Sequence, residues 1–151
     1  MGRIFAHLAA VALAAAFSAA PVLGQAPIYD IRAELVYHPG PLAYVVQIRN
    51  VGPTIPGGAR SEFHLLFPGG VKIVNWTLNG WQCAPAPQIK GPVDFVCKFS
   101  LTGAWAAGTI LSNQLFFVAA KARKPVCVRA LLYIANALIA ETNPTNNSKC
   151  A

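Results

Sequence analysis

Apolar and polar residues alternate along much of this chain, with a period of two. Ile31, Ala33, Leu35 and Tyr37 interleave with Arg32, Glu34 and His38, and His38-Pro-Gly-Pro41 ends the run. Leu42, Tyr44, Val46 and Ile48 share a second face, with Gln47 and Arg49 opposite. Asn50 to Gly58 reads as a loop. Phe63, Leu65 and Phe67 alternate next and stop at Pro68-Gly-Gly70. Val71 to Leu78 reads as a short strand closed by Asn79-Gly80. Asp94 to Phe99 sets Phe95, Cys97 and Phe99 on one face, and Leu111, Leu115 and Phe117 mark a longer strand after Gly108. Half-buried strands give this period, and Pro/Gly turns at short intervals predict a sandwich or barrel. Ala84 to Pro92, with Pro85, Pro87 and Pro92, reads as an irregular loop. Val128, Leu131, Leu132, Ala135, Leu138 and Ile139 instead follow helical spacing, and Pro125 suits a helix start; the same stretch also reads as a strand apolar on both faces.

The first 24 residues are set apart from this pattern. Arg3 supplies a positive start, Leu8 to Ala20 is an uncharged apolar run, and small residues follow. These are the three parts of a secretory signal peptide. The run is too short to span a bilayer, which takes about 20 apolar residues. Cleavage fits after Gly24 or after Ala26. The second site leaves Pro27 beside the cut, where a missing N–H and a fixed φ suit a protease cleft poorly, so Gly24 is the expected site. The expectation is a signal peptide over 1–24, a single domain over 25–151, and a secreted or periplasmic protein with no transmembrane segment in its mature chain. No cysteine stands near the cleavage site, which argues against a lipid anchor.

All four cysteines, Cys83, Cys97, Cys127 and Cys150, fall in the mature part. An even count in an exported chain points to disulfides, and close Cys-x-x-Cys or Cys/His spacing, which a metal site would want, does not occur. Without Arg3 the chain keeps eleven Lys/Arg against five Asp/Glu, a net charge near +6. Such a charge favours anionic surfaces. Solubility is the simpler account, because only Lys121, Arg123 and Lys124 cluster.

Three patches carry a resemblance. Tyr44-Val-Val-Gln-Ile-Arg-Asn-Val-Gly52 resembles the strand and Asn-x-Gly turn that open bacterial conserved-repeat and CARDB (cell-adhesion-related domain found in bacteria) modules. Phe67-Pro68-Gly69, then Trp81-Gln-Cys83, then Phe95-Val-Cys97 is similar to the conserved-repeat turn and cysteine pattern, with Leu101 and Ala107-Gly108 following. Asn136 to Ser148, with Glu141, Asn146 and Asn147, resembles the C-terminal Glu-x-Asn-x-x-Asn-Asn signature of CARDB domains. Cys127 and Cys150 lie outside the usual pattern, and Ile134 or Ala135 stands where CARDB domains carry Asp. The resemblance implies an all-β, immunoglobulin-like antiparallel β-sandwich of about seven strands, and it turns the reading of 126–140 towards strand. It also implies a Cys83–Cys97 bridge. Cys127–Cys150 is then the second. Antiparallel partners lie equally far from the midpoint of their connection, which falls near Leu138 inside an irregular stretch.

The candidate chemistry is sparse. Glu62 and His64 lie two apart on one strand face, as an ion pair or half of a metal site that His38 or Asp94 would have to complete. A surface ion pair is the simpler account. Ser61, Ser100 and Ser112 lack a Gly-x-Ser-x-Gly elbow. Gly57-Gly58 and Gly69-Gly70 serve turns, not phosphate loops. Trp76 and Trp81 sit in strand-like apolar stretches and read as core, whereas Trp105, beside Gly103 and Gly108, is expected to be exposed and available for binding. Lys121, Arg123 and Lys124 suit phosphate or acidic glycans, or simply guard a strand edge.

The expected function is non-enzymatic, without cofactor or metal. The resemblance implies binding or structural presence at the bacterial envelope or outside the cell, in adhesion or envelope assembly. The partner would be an envelope protein or polysaccharide, and no nucleic acid is expected. A small soluble ligand-binding protein or inhibitor is the second reading.

Overall fold

In the computed structural model, which describes residues 27–77, 79–84, 92–111 and 113–151, the alternating segments are strands. They are β1 (Ile31–His38), β2 (Ala43–Asn50), β3 (Arg60–Phe67), β4 (Ile73–Trp76), β5 (Gln82–Cys83), β6 (Val93–Ser100), β7 (Gln114–Val118), β8 (Cys127–Ile134), β9 (Ala137–Leu138) and β10 (Ser148–Cys150). A short 3-10 turn, Pro144–Asn147, precedes β10. The signal-peptide residues and the prolines Pro85 and Pro87 lie outside the described residues.

Two antiparallel sheets form the sandwich. One has the order β1-β2-β7-β4. The other runs β10-β8-β3-β6-β5, with β9 beside β8. These orders follow the A-B-E-D and G-F-C sheets of an immunoglobulin sandwich. One difference is that the chain lays down β4, in the D position, before it builds the β5–β6 pair beside β3. Seven of the ten described strands have four residues or more, in line with the seven expected.

The inward faces meet in one core. Tyr44, Phe63, Phe67, Phe95 and Phe116 are fully buried, and Phe95 and Phe116 pack edge-to-face at 5.2 Å. Trp81 joins them against Phe63 at 4.7 Å, and half-buried Trp76 meets Phe95 at 5.4 Å. Rings arranged edge-on in this way add directional attraction to the burial of apolar area. The strand after Gly108 is shorter than its pattern suggested. It spans Gln114–Val118 and buries Gln114, Phe116 and Val118, leaving Leu115 and Phe117 half-buried on the outer face.

The ambiguous C-terminal segment is β8. Val128, Ala130 and Leu132 face the core, while Leu131 on the other face is half-buried. The helical spacing arises because an apolar strand is followed at once by a hairpin: Ala135 and Asn136 take positive φ, 49° and 64°, and turn the chain into β9. Two successive left-handed residues make the turn that suits a two-residue hairpin.

The β2–β3 and β6–β7 connections cross between the sheets side by side, because β2 neighbours β7 and β3 neighbours β6. They pair with each other. Ile55 N–H donates to Trp105 O at 3.0 Å and Trp105 N–H to Ile55 O at 2.8 Å; Asn50 N–H and Gly108 N–H close the far end on Thr109 O and Asn50 O. Cys83–Cys97 joins β5 to β6 and Cys127–Cys150 joins β8 to β10, the pairing expected. Among the described residues, no helix is long and apolar enough to cross a membrane.

Candidate functional site

On β3 the residues that point away from the core are Arg60, Glu62, His64 and Leu66, a consequence of the two-residue period. Cross-strand register sets Leu66 opposite Asp94 of β6, and Glu62 opposite Lys98. Asp94 therefore stands diagonal to His64 and reaches it. His64 Nδ1 lies 2.9 Å from Asp94 Oδ2, and Nε2 lies 3.1 Å from Glu62 Oε1. Glu62 is buried, and its second oxygen is 3.9 Å from Lys98 Nζ. His38, the other candidate, ends β1 in the opposite sheet and is exposed.

The geometry favours the charged form of this group. Burial opposes a charged imidazole, but the hydrogen bonds it makes to Asp94 and Glu62 and their two negative charges outweigh it, so the His64 pKa is raised above 6.5. Both ring nitrogens are engaged within the cluster, and the protonated form that the two carboxylates favour offers no lone pair to a proton or a metal. The cluster is thus a local ion-pair network.

The resemblance motifs likewise hold loops in place. Asn50 is fully buried; its Nδ2 donates to Pro53 O and Trp105 O, both at 2.9 Å, and its Oδ1 accepts from Gly52 N–H at 3.0 Å. Gly52 is needed because a Cβ there would lie 2.7 Å from the Asp30 backbone nitrogen. At the C-terminal signature, Glu141 accepts the Ile31 N–H at 2.9 Å and Asn146 donates to Asp30 at 3.1 Å, which ties the chain end to the start of β1. Burial pushes the Glu141 pKa up, against the Ile31 hydrogen bond.

Trp105 is not the exposed aromatic expected. It is 4% exposed, because its backbone is paired to Ile55, and its indole Nε1 donates to Thr109 O at 3.3 Å. The connection around it is exposed, Gly103 and Gly108 included, and the Trp105 side chain turns inward to the core.

The basic cluster, in contrast, borders a cleft. Lys121, Arg123 and Lys124 do not end a strand; they lie on the connection after β7 stops at Val118. All three are exposed, and they face the Gly69-Gly70 turn and Lys72 across a cleft of about 520 Å³. Lys72 escaped the sequence reading because it is nearly fifty positions away. The signal for it was the β4–β7 pairing, which brings the residue after the Pro68-Gly-Gly70 turn beside the connection that leaves β7. Ala119 N–H donates to Lys72 O at 3.0 Å and ties the two walls; Ala122 N–H donates to the Tyr44 hydroxyl at 3.2 Å. Lys121 Nζ lies 5.2 Å from the Tyr37 ring centroid.

No family model matches the chain, and no curated protein matches it. Two solved structures are similar at low identity. A family GH18 chitinase from Chromobacterium violaceum aligns with a TM-score of 0.47 and 16% identity over 83% of this chain, which spans only 20% of the chitinase. A protein described as AvmM, which catalyses macrocyclization in alchivemycin A biosynthesis, aligns with a TM-score of 0.40 and 14% identity over 83% of this chain and 94% of its own.

Proposed function

We propose that this chain is an exported, disulfide-locked, immunoglobulin-like module of the conserved-repeat or CARDB type that acts by binding, not catalysis, at the bacterial envelope or outside the cell, in adhesion or envelope assembly. The observation that carries it is the state of His64: the one cluster of a histidine and carboxylates among the described residues uses both ring nitrogens internally. Two disulfides and the N-terminal apolar segment support export. Asn50, Gly52, Glu141 and Asn146 are explained as loop anchors, so the signature residues need no catalytic role.

The cationic cleft favours the second reading in one respect, since a preorganised concave site suits a small soluble ligand binder. The two readings share the expectation of a binding activity independent of His64. The test combines location and mutagenesis. Mature protein from the envelope or medium should begin at Gln25 and carry no free thiol. Glu62→Ala and His64→Ala variants, if folded, should bind an envelope fraction as the parent does. An enzymatic activity abolished by either change in a folded protein would sink the reading.

A further inference from the structure

We propose that the cleft between the Gly69-Gly70 turn and the β7–β8 connection binds a phosphate ester, with Lys72 on one wall and Lys121, Arg123 and Lys124 on the other. This rests on the reading of the domain as a binding module, and it adds a site and a ligand class to that reading.

The first support is an uncompensated charge. Four cationic side chains line the cleft, and none of the five Asp and Glu side chains does. Those five are engaged elsewhere: Asp30 with Asn146, Glu34 with Arg49, Glu62 and Asp94 with His64, and Glu141 with the Ile31 N–H. Cations gathered in a concave site concentrate the field and attract an anion more strongly than the same charges spread over a surface. A fold that merely needed solubility gains nothing from placing them together.

The second support is rigidity. The walls are joined by the Ala119-to-Lys72 hydrogen bond, and the connection is held at its middle by Tyr44. Its far end is clamped where Val126 and Ala151 exchange backbone hydrogen bonds at 2.9 Å, beside the Cys127–Cys150 bridge. A site already ordered before the ligand arrives pays little entropy on binding.

The choice of phosphate follows from charge and shape. A phosphate monoester carries about −1.5 to −2 at neutral pH and offers three acceptor oxygens. A single carboxylate would leave most of the four cations unmatched. The planar fork of Arg123 fits two phosphate oxygens at once, while the lysines act as point charges. The cleft also exceeds a bare phosphate: about 520 Å³ falls within the usual size of small-ligand sites and leaves room for an organic body over Ala119, Ala120 and Ala122. A sugar phosphate and the monoester headgroup of phosphatidic acid share this chemistry.

The experiment uses the mature, disulfide-bonded chain. A hexose phosphate is titrated by calorimetry. Phosphatidylcholine vesicles with and without phosphatidic acid are tested by flotation. Binding in either arm supports the proposal. Binding only to the phosphatidic acid vesicles assigns the ester to a headgroup, and binding only in solution assigns it to a free sugar phosphate. Arg123→Glu and Lys72→Glu should each weaken binding on the order of tenfold, whereas Arg32→Glu, the same charge change on β1 outside the cleft, should leave it nearly unchanged. Unaltered melting shows that each variant is folded. Equal loss with Arg32→Glu means a diffuse field and overturns the site. Equal affinity for polygalacturonate overturns the phosphate assignment in favour of an acidic glycan. No binding to any phosphate probe also overturns it, and capture of an envelope ligand by that same protein would leave the broader reading standing.

Discussion

The Asn50 side-chain amide donates to the carbonyl oxygen of Trp105 at 2.9 Å, and so fastens one sheet-crossing connection to the other. Asn50 also closes its own turn on Gly52 and Pro53; its side chain is fully buried, although these two partners are nearer the surface. Asn50→Ala should therefore cost about 2–3 kcal/mol, the range for stripping a buried, multiply bonded polar side chain. Asn50→Asp should cost more, since it replaces a donating amide with a buried charge facing two carbonyls. Urea denaturation of the oxidised protein checks both; a loss below about 0.5 kcal/mol for Asn50→Ala would show that the connections hold together without this anchor.

Most of the fold was legible because its strands follow the two-residue period: β1, β2, β3 and β6 bury most of the residues their pattern nominated, with Tyr37 and Phe99 half-buried at strand ends and Leu42, at φ 51° in the turn before β2, left exposed. The pattern failed where both faces are apolar. In Leu115-Phe116-Phe117 alternation carries no phase, and Phe116, not its neighbours, reaches the core. Trp105 was misread because local composition does not say which way a side chain on an exposed connection turns, and this one joins the core beside Ile55. A parallel was visible all the same: Ile55-x-x-Gly58 and Trp105-x-x-Gly108 have the same spacing, with positive φ at both glycines. The ion-pair network was half legible. Glu62 and His64 follow from strand spacing, whereas Asp94 depends on the β3–β6 register, which no local pattern specifies.

Ala135 is strained. At φ 49° its Cβ crowds the backbone, a cost of about 1–2 kcal/mol for an L-residue in the left-handed region. Glycine removes that cost but loses more freedom on folding, roughly 0.5–1 kcal/mol. Ala135→Gly should then stabilise the domain by about 0.5–1 kcal/mol, and Ala135→Asn, which tolerates this region, by a similar amount. Ala135→Val should destabilise. The denaturation midpoints of the three variants are the measurement, and a midpoint lowered by Ala135→Gly would contradict the hairpin geometry.

The pH dependence has a definite sign. His64 has a raised pKa in the folded chain, so the stability it supplies is complete below 6.5 and fades as pH rises through its higher folded value. Glu141, raised mainly by burial, gives the same direction in a lower window: above 4.5 the folded state resists ionising it, and stability drops as pH rises through its folded value. Stability measured from acid to neutral pH and beyond should thus decline in two steps. His64→Gln should remove the upper step, and Glu141→Gln, which still offers an oxygen to the Ile31 N–H, the lower one. A curve for His64→Gln that keeps the upper step would assign that step to another group.

The two disulfides should differ in how readily they are reduced. Each closes a loop of modest size, with separations of 14 and 23 residues, and in the chain-entropy model each contributes about 3 kcal/mol. Their surroundings are unlike. Cys83 and Cys127 are both half-buried, but their partners differ: Cys97 is fully buried in β6, whereas Cys150 lies in β10, whose three residues are all exposed. Exchange requires a thiolate to reach a sulfur in line with the bond, so access governs the rate. A mild reductant should open Cys127–Cys150 first and leave Cys83–Cys97 intact in the folded protein. The consequence should be local. Val126 and Ala151 pair immediately beside the bridge, so opening it should loosen the end of the connection that carries Lys121, Arg123 and Lys124. Alkylation after graded reduction, mapped by peptide mass, should find Cys127 and Cys150 labelled well before Cys83 and Cys97. Amide exchange at Val126 should speed up over the same range while the core strands stay protected. Simultaneous labelling of all four cysteines would mean that reduction proceeds through global unfolding and that the β10 edge is no weaker than the core.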